Sequence, residues 1–98
     1  MNQPVSGEIP IRHNVAAGRF EAEAGAHLAV AEYVREDRRM VFTHTFVPPE
    51  LRGRGLAEKL VRAGLELARA EDRRVVAQCS YVAAFIQRHA EYQDLLVS

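Results

Sequence analysis

At Pro48 the hydrophobic pattern of the chain changes its period, and that switch limits the folds open to it. Upstream, Arg19–Ala24 (RFEAEA) alternates, with Phe20, Ala22 and Ala24 on one side and Glu21 and Glu23 on the other. Alternation of this kind is the signature of a half-buried strand. His27–Arg35 (HLAVAEYVR) and Arg39–Val47 (RMVFTHTFV) predict two more strands, the second rich in β-branched and aromatic residues. Ile11–Val15 predicts a shorter one. The links between them, Ala16-Ala17-Gly18, Gly25 and Glu36-Asp37-Arg38, are short enough to imply antiparallel hairpins. Downstream the spacing is helical. Ala57, Leu60, Val61, Gly64, Leu65 and Ala68 form one apolar stripe on a helix predicted over Leu56–Ala70. Gly64 within that stripe costs about 1 kcal/mol against alanine, which close packing on the sheet would offset. Val75–Cys79 (VVAQC) then predicts a strand. A second helix follows, with Val82, Phe85, Ile86 and His89 on one face, and Leu95–Val97 forms a last short strand or a packed tail.

Hairpins followed by strand, helix and strand describe an α+β domain: a mixed, mainly antiparallel sheet carrying two main helices. The crossover makes Arg39–Val47 and Val75–Cys79 parallel. A single domain over residues 1–98 is expected, its first ten residues loose because Pro4, Gly7 and Pro10 punctuate them. Lys and Arg number 13 against 13 Asp and Glu, which argues against a nucleic-acid binder. Cys79 stands alone, MNQPVSGEIP lacks an apolar signal core, and no apolar run reaches the about 18 residues of a membrane span. A cytoplasmic protein without membrane contact, a monomer or weak dimer, is the expectation.

The switch itself, Pro48–Leu60 (PPELRGRGLAEKL), sets two glycines and two arginines against a helix start. Helix N-termini leave backbone N–H groups unpaired and add positive potential. Gly53 and Gly55 let the backbone approach a bulky anion, so the amides from Gly53 through Ala57 can converge on a phosphate or diphosphate. Arg52 and Arg54 add permanent charge. The residues alone leave open a plain turn with two solvated arginines. They match neither a Walker loop nor a Rossmann fingerprint, since no Lys-Ser/Thr pair follows and Glu58 and Lys59 stand where a third small residue belongs.

Arg52-Gly53-Arg54-Gly55-Leu56-Ala57, after a strand and opening an amphipathic helix, resembles the acetyl-CoA pyrophosphate loop of the GNAT N-acetyltransferase superfamily. FTHTFVPPELRGRGLAEKLV together with VVAQCSYVAAFIQRHAEY is similar to its minimal, single-domain branch, over roughly Arg19 to Tyr92. The resemblance implies a splayed sheet with the pantetheine arm of acetyl-CoA between the two parallel strands. Phe46 and Val47 would line the arm, and Arg52, Gly53, Arg54, Gly55, Leu56 and Ala57 would hold the diphosphate. It also carries expectations for His44, Cys79 and Tyr81. His44, placed by strand alternation on the face of Met40, Phe42 and Phe46, is either a core histidine or the general base. Cys79 is either a small buried hydrophobe, or a thiolate nucleophile that takes the acetyl group, or a thiol lining the acetyl pocket, and pairing with His44 on the adjacent parallel strand as base and nucleophile is geometrically possible. Tyr81 either packs or protonates the leaving CoA thiolate, and Ser80 either caps the second helix or touches the arm. His13, His27 and His89 show no metal-ligand spacing, and no metal is expected.

Two departures stand out. Ala90 occupies a position where the branch tends to carry proline, and there is no room for the helix pair that walls the acceptor site in full-length GNAT enzymes. An open, shallow cleft suits an exposed amine, such as a protein or peptide lysine. Three functions remain: an acetyl-CoA-dependent N-acetyltransferase, a catalytically weak CoA-binding module with a sensing or interaction role, and an interaction domain without ligand.

Overall fold

The computed structural model describes residues 9–97, so the expectation for residues 1–8 lies outside the described residues. Strands β1 (Arg12–Asn14), β2 (Arg19–Ala24), β3 (His27–Glu36) and β4 (Arg39–Phe46) form antiparallel hairpins in sequence order. A 3-10 turn at Pro49–Leu51 leads to helix α1 (Leu56–Ala70), which returns the chain to β5 (Arg74–Ala77), parallel to β4. Helix α2 (Ser80–Arg88) and a 3-10 segment, Ala90–Leu95, complete the chain. The Leu95–Val97 expectation holds in part: Leu96 bridges Val75 in parallel and the Val97 amide donates to the Val75 carbonyl at 3.0 Å. Ile9, expected to be loose, is buried in the core.

Both helices share one core on one face of the sheet. Phe20, Ala22, Ala29, Ala31, Tyr33, Met40 and Phe42 point into it from the strands. Leu60, Val61, Leu65 and Ala68 meet them from α1, and Val82, Phe85 and Ile86 from α2. The tail is fastened to α1 by Tyr92, whose hydroxyl donates to Glu66 at 2.6 Å, and by Arg69, which forks onto Asp94 at 3.0 Å. Gly64 sits where α1 crosses the sheet most closely. A Cβ there would lie 2.6 Å from the Phe42 ring, itself 1% exposed and held by its neighbours. Gly64→Ala should therefore destabilise the fold: overpacking of about 1–3 kcal/mol exceeds the gain of about 1 kcal/mol in helix propensity. A higher urea midpoint for the variant would contradict this packing.

The other face of the sheet is uncovered by any described helix, and it is polar at one end. There Glu21 is only 2% exposed, because Arg12 and Arg19 at 2.7 Å and Asn14 at 2.9 Å enclose its carboxylate. The shielding comes from those three partners, not from depth. They hold the Glu21 pKa at about 2 against 4.5 for a free glutamate. Glu71, forked by Arg35 and touched by Arg73, is likewise held at about 2. A depressed carboxylate stabilises the fold fully above its unfolded value and loses that contribution as pH falls through its folded value. Stability should thus decline between pH 4.5 and about 2. Urea titrations across that range should show a shallower decline for Glu21→Gln, and an unchanged slope would remove Glu21 as a cause.

Candidate active site at the parting of β4 and β5

The pairing of β4 with β5 ends at Phe42↔Ala77, and the last bond across it runs from the Cys79 amide to the Phe42 carbonyl at 2.9 Å. Beyond it β5 gives way to α2, while β4 continues to Phe46 paired with β3 alone. The pairing of β4 with β5 therefore stops four residues short of the end of β4, where a splay would begin. Edge groups of β4 from Thr43 to Phe46 border the opening.

The start of α1 lies beside it. Gly53 and Gly55 adopt φ of +84° and +72°, the left-handed region that glycine enters without a Cβ penalty. Gly55 occupies the N-cap position of α1, and no side chain caps the helix. The first amides of α1 therefore have no side-chain partner. Arg54 is exposed and makes no hydrogen bond or ion pair among the described residues. Arg52 instead folds back, its Nε donating to the Val47 carbonyl at 3.0 Å, which ties the loop to the end of β4. Leu56 turns into the core while Ala57 stays half-buried. Uncapped amides, two left-handed glycines and a free guanidinium fit an anionic diphosphate.

One irregularity reorganises the chemistry. Tyr33 pairs with Phe42, but the next residue of β3 in the register, Glu32, pairs with His44. Thr43 is the extra residue of a β-bulge, and its hydroxyl donates to the Glu32 carbonyl at 3.4 Å. The bulge inverts the alternation of the rest of β4. His44 does not share a face with Met40 and Phe42, as strand alternation implied. It emerges on the open face with Phe46, its ring parallel to that of Phe46 within 8° and 6.4 Å away. Thr45, pairing with Ala31, turns to the helix face instead.

Cys79 consequently meets Thr45. The Sγ lies 3.5 Å from Thr45 Oγ1, on the helix side of the sheet, whereas His44 makes no hydrogen bond among the described residues. The geometric possibility of His44 and Cys79 pairing as base and nucleophile is not realised: the bulge sets them on opposite faces. Burial pushes the Cys79 thiol up, but the Thr45 hydroxyl and the amides of Val82, Tyr81 and Thr45 outweigh it and draw the pKa below its ordinary value. Cys79 also holds the N-cap position of α2, which corrects the reading of Ser80 as the cap. Ser80 is exposed and lines a groove of about 680 Å³ between α2, β5 and the tail. Tyr81 is half-buried in the first turn of α2. Burial, then the charge of Glu58, raises its pKa, so the phenol keeps its proton.

Thr43, Thr45 and Glu32 were not marked by the sequence reading. Glu32 alone gave a signal, as a charged residue interrupting an apolar strand. Among the described residues no cluster of His, Cys, Asp or Glu has the grouping of a metal site. No helix among them is long and apolar enough to cross a membrane.

The family model of GCN5-related N-acetyl-transferases matches residues 19–95, from β2 to the end of the fold. The chain belongs to the GCN5-related N-acetyltransferases. It is 37% identical over 84 residues to Protein NATD1 of Bos taurus, covering 83% of this chain and 74% of that one. The mouse (Mus musculus) Protein NATD1 is 31% identical over 86 residues, covering 85% and 78%. Among solved structures, the NMR solution structure of a GCN5-like candidate N-acetyltransferase from Staphylococcus aureus superposes with a TM-score of 0.73 at 26% identity, over 91% of this chain and 88% of that one. This acetyltransferase accordingly has the mixed α+β fold of its family.

Proposed function

We propose that the protein transfers the acetyl group of acetyl-CoA directly to an exposed primary amine, with a protein or peptide lysine as the acceptor. The observation carrying this reading is the uncapped start of α1, with Gly53 and Gly55 left-handed, set beside the parting of β4 and β5. In this reading the amides of α1 and Arg54 hold the diphosphate, and the freed edge of β4 near Phe46 and Val47 orients the arm. The acceptor approaches over the open face, where His44 stands exposed. His44, or a water it orients, removes a proton from the ammonium. The neutral nitrogen attacks the acetyl carbonyl carbon, a C–N bond forms, the C–S bond breaks, and the nitrogen sheds its second proton to water. The departing thiolate takes its proton from Tyr81, a phenol that burial keeps protonated.

Direct transfer is favoured over passage through an acetylated Cys79 because Cys79 lies on the helix side with Thr45, away from His44. A thiol-release assay with acetyl-CoA and a panel of amines tests the reading. Release should depend on the amine and survive Cys79→Ala. Amine-independent binding of CoA with no release for any amine would leave a CoA-binding module and end the transferase reading.

A further inference from the structure

On the open face, opposite the helices, the bulge does more than expose His44: it aligns His44 with Glu32 as direct cross-strand partners. Side chains so paired on neighbouring strands stand about 5 Å apart at Cβ, close enough to grip one small group together. They do not spend their polar atoms on each other. On its other side Glu32 faces Arg19, its cross-strand partner on β2, in one long ion pair among the described residues, 3.9 Å to Arg19 Nη1, while Arg19 Nε bonds Glu21 at 2.7 Å. Phe46 continues the row, 44% exposed and stacked parallel to the imidazole. The row reads, in order, as a carboxylate held only by a long ion pair to Arg19, an imidazole without a hydrogen bond among the described residues, and an exposed aromatic ring.

We propose that Glu32, with His44 and Phe46, forms the recognition site for the acceptor amine, and that the acceptor is a primary ammonium on an unbranched alkyl arm. This rests on the transferase reading above. An ammonium group carries three donors. Glu32 and His44 each accept one, which leaves the third toward solvent, and the alkyl arm lies along the Phe46 ring, whose face also attracts the cation. Loss of the proton to His44 leaves the nitrogen held by Glu32 with its lone pair free. A carboxylate selects for the charged amine, so acceptors that are neutral at the assay pH, such as anilines, bind without benefit from Glu32. The same arm occurs in a lysine side chain and in a free diamine.

The experiment uses the full chain and two acceptors, a lysine-containing peptide and putrescine, with an aniline as the uncharged comparison. Glu32→Gln should raise KM for whichever charged amine is used by about tenfold or more, as loss of a charge-assisted hydrogen bond predicts, with kcat little changed. KM for the aniline should not move. Glu32→Asp should restore part of the loss, which a purely structural role for Glu32 would not produce. The better of the two charged acceptors identifies the source of the arm. Independently of turnover, NMR titration of the CoA-loaded protein with each amine should shift signals of Glu32, His44 and Phe46. Such shifts without turnover would keep the recognition site and reject the transferase reading. An unchanged KM in Glu32→Gln, or shifts confined to other residues, would overturn the recognition site while leaving CoA binding and the transferase reading intact.

Discussion

Gly55→Glu is expected to abolish measurable CoA binding. At φ of +72°, Gly55 is the residue that turns the chain into α1 and leaves its first amides uncapped. Any side chain there costs about 1–2 kcal/mol in the left-handed region. A carboxylate about 4 Å from a phosphate adds repulsion of about 4 kcal/mol at the dielectric typical of a protein surface. The strain weighs on the fold with or without coenzyme, whereas the repulsion by itself weakens binding by a factor on the order of a thousand. Calorimetry with CoA reads the effect. Because a Cβ at Gly55 meets nothing within 4 Å, the fold has space for the side chain, and circular dichroism should show the helices retained. Gly55→Asn, which tolerates the left-handed region and brings no charge, should lose far less affinity. Wild-type affinity in Gly55→Glu would place the coenzyme elsewhere.

The second large effect is expected at His44. Removing a general base typically costs about 10²–10⁴-fold in rate. His44→Ala should therefore lower kcat by that order while leaving the CoA affinity unaltered. His44 is exposed and makes no hydrogen bond among the described residues, so stability should stay within about 0.5 kcal/mol of wild type. Thr45→Ala supplies the contrast. It removes the partner of Cys79 on the opposite face, and the thiol should become less acidic, as alkylation rates against pH would show. Turnover should barely respond if transfer is direct. A Thr45→Ala or Cys79→Ala variant as slow as His44→Ala would instead restore a covalent route through the thiol.

The bulge at Thr43 unites these expectations. It separates His44 from Cys79, pairs His44 with Glu32, and sends Thr45 into the helix side. It also lies next to the last β4–β5 pair, where the sheet opens. Local departure from the regular ladder thus coincides with the place where the fold admits a ligand, a common association of bulges with functional sites. Among the described residues β2 follows β1 with no helix between them, and this has a related consequence. No described element walls the face on which His44 and Phe46 stand, which leaves it accessible to an amine borne on a large molecule.

The sequence by itself determined what depends on near neighbours along the chain. Residues 19–24 and 56–70 are strand and helix over the same spans that alternation and the apolar stripe marked, because period and burial are local properties of one element. Gly53 and Gly55 stand without Cβ at an uncapped helix start, as their clustering before an amphipathic pattern implied, while their positive φ belongs to the folded loop. Gly64 packs on Phe42 as its place in the stripe required. Only the tertiary structure decided which way His44 points and what Cys79 touches. A one-residue slip between two strands reverses every side chain beyond it, and that slip is fixed by how β3 and β4 pair. The run FTHTF reads the same with or without a bulge, so its register belonged to the assembled sheet alone.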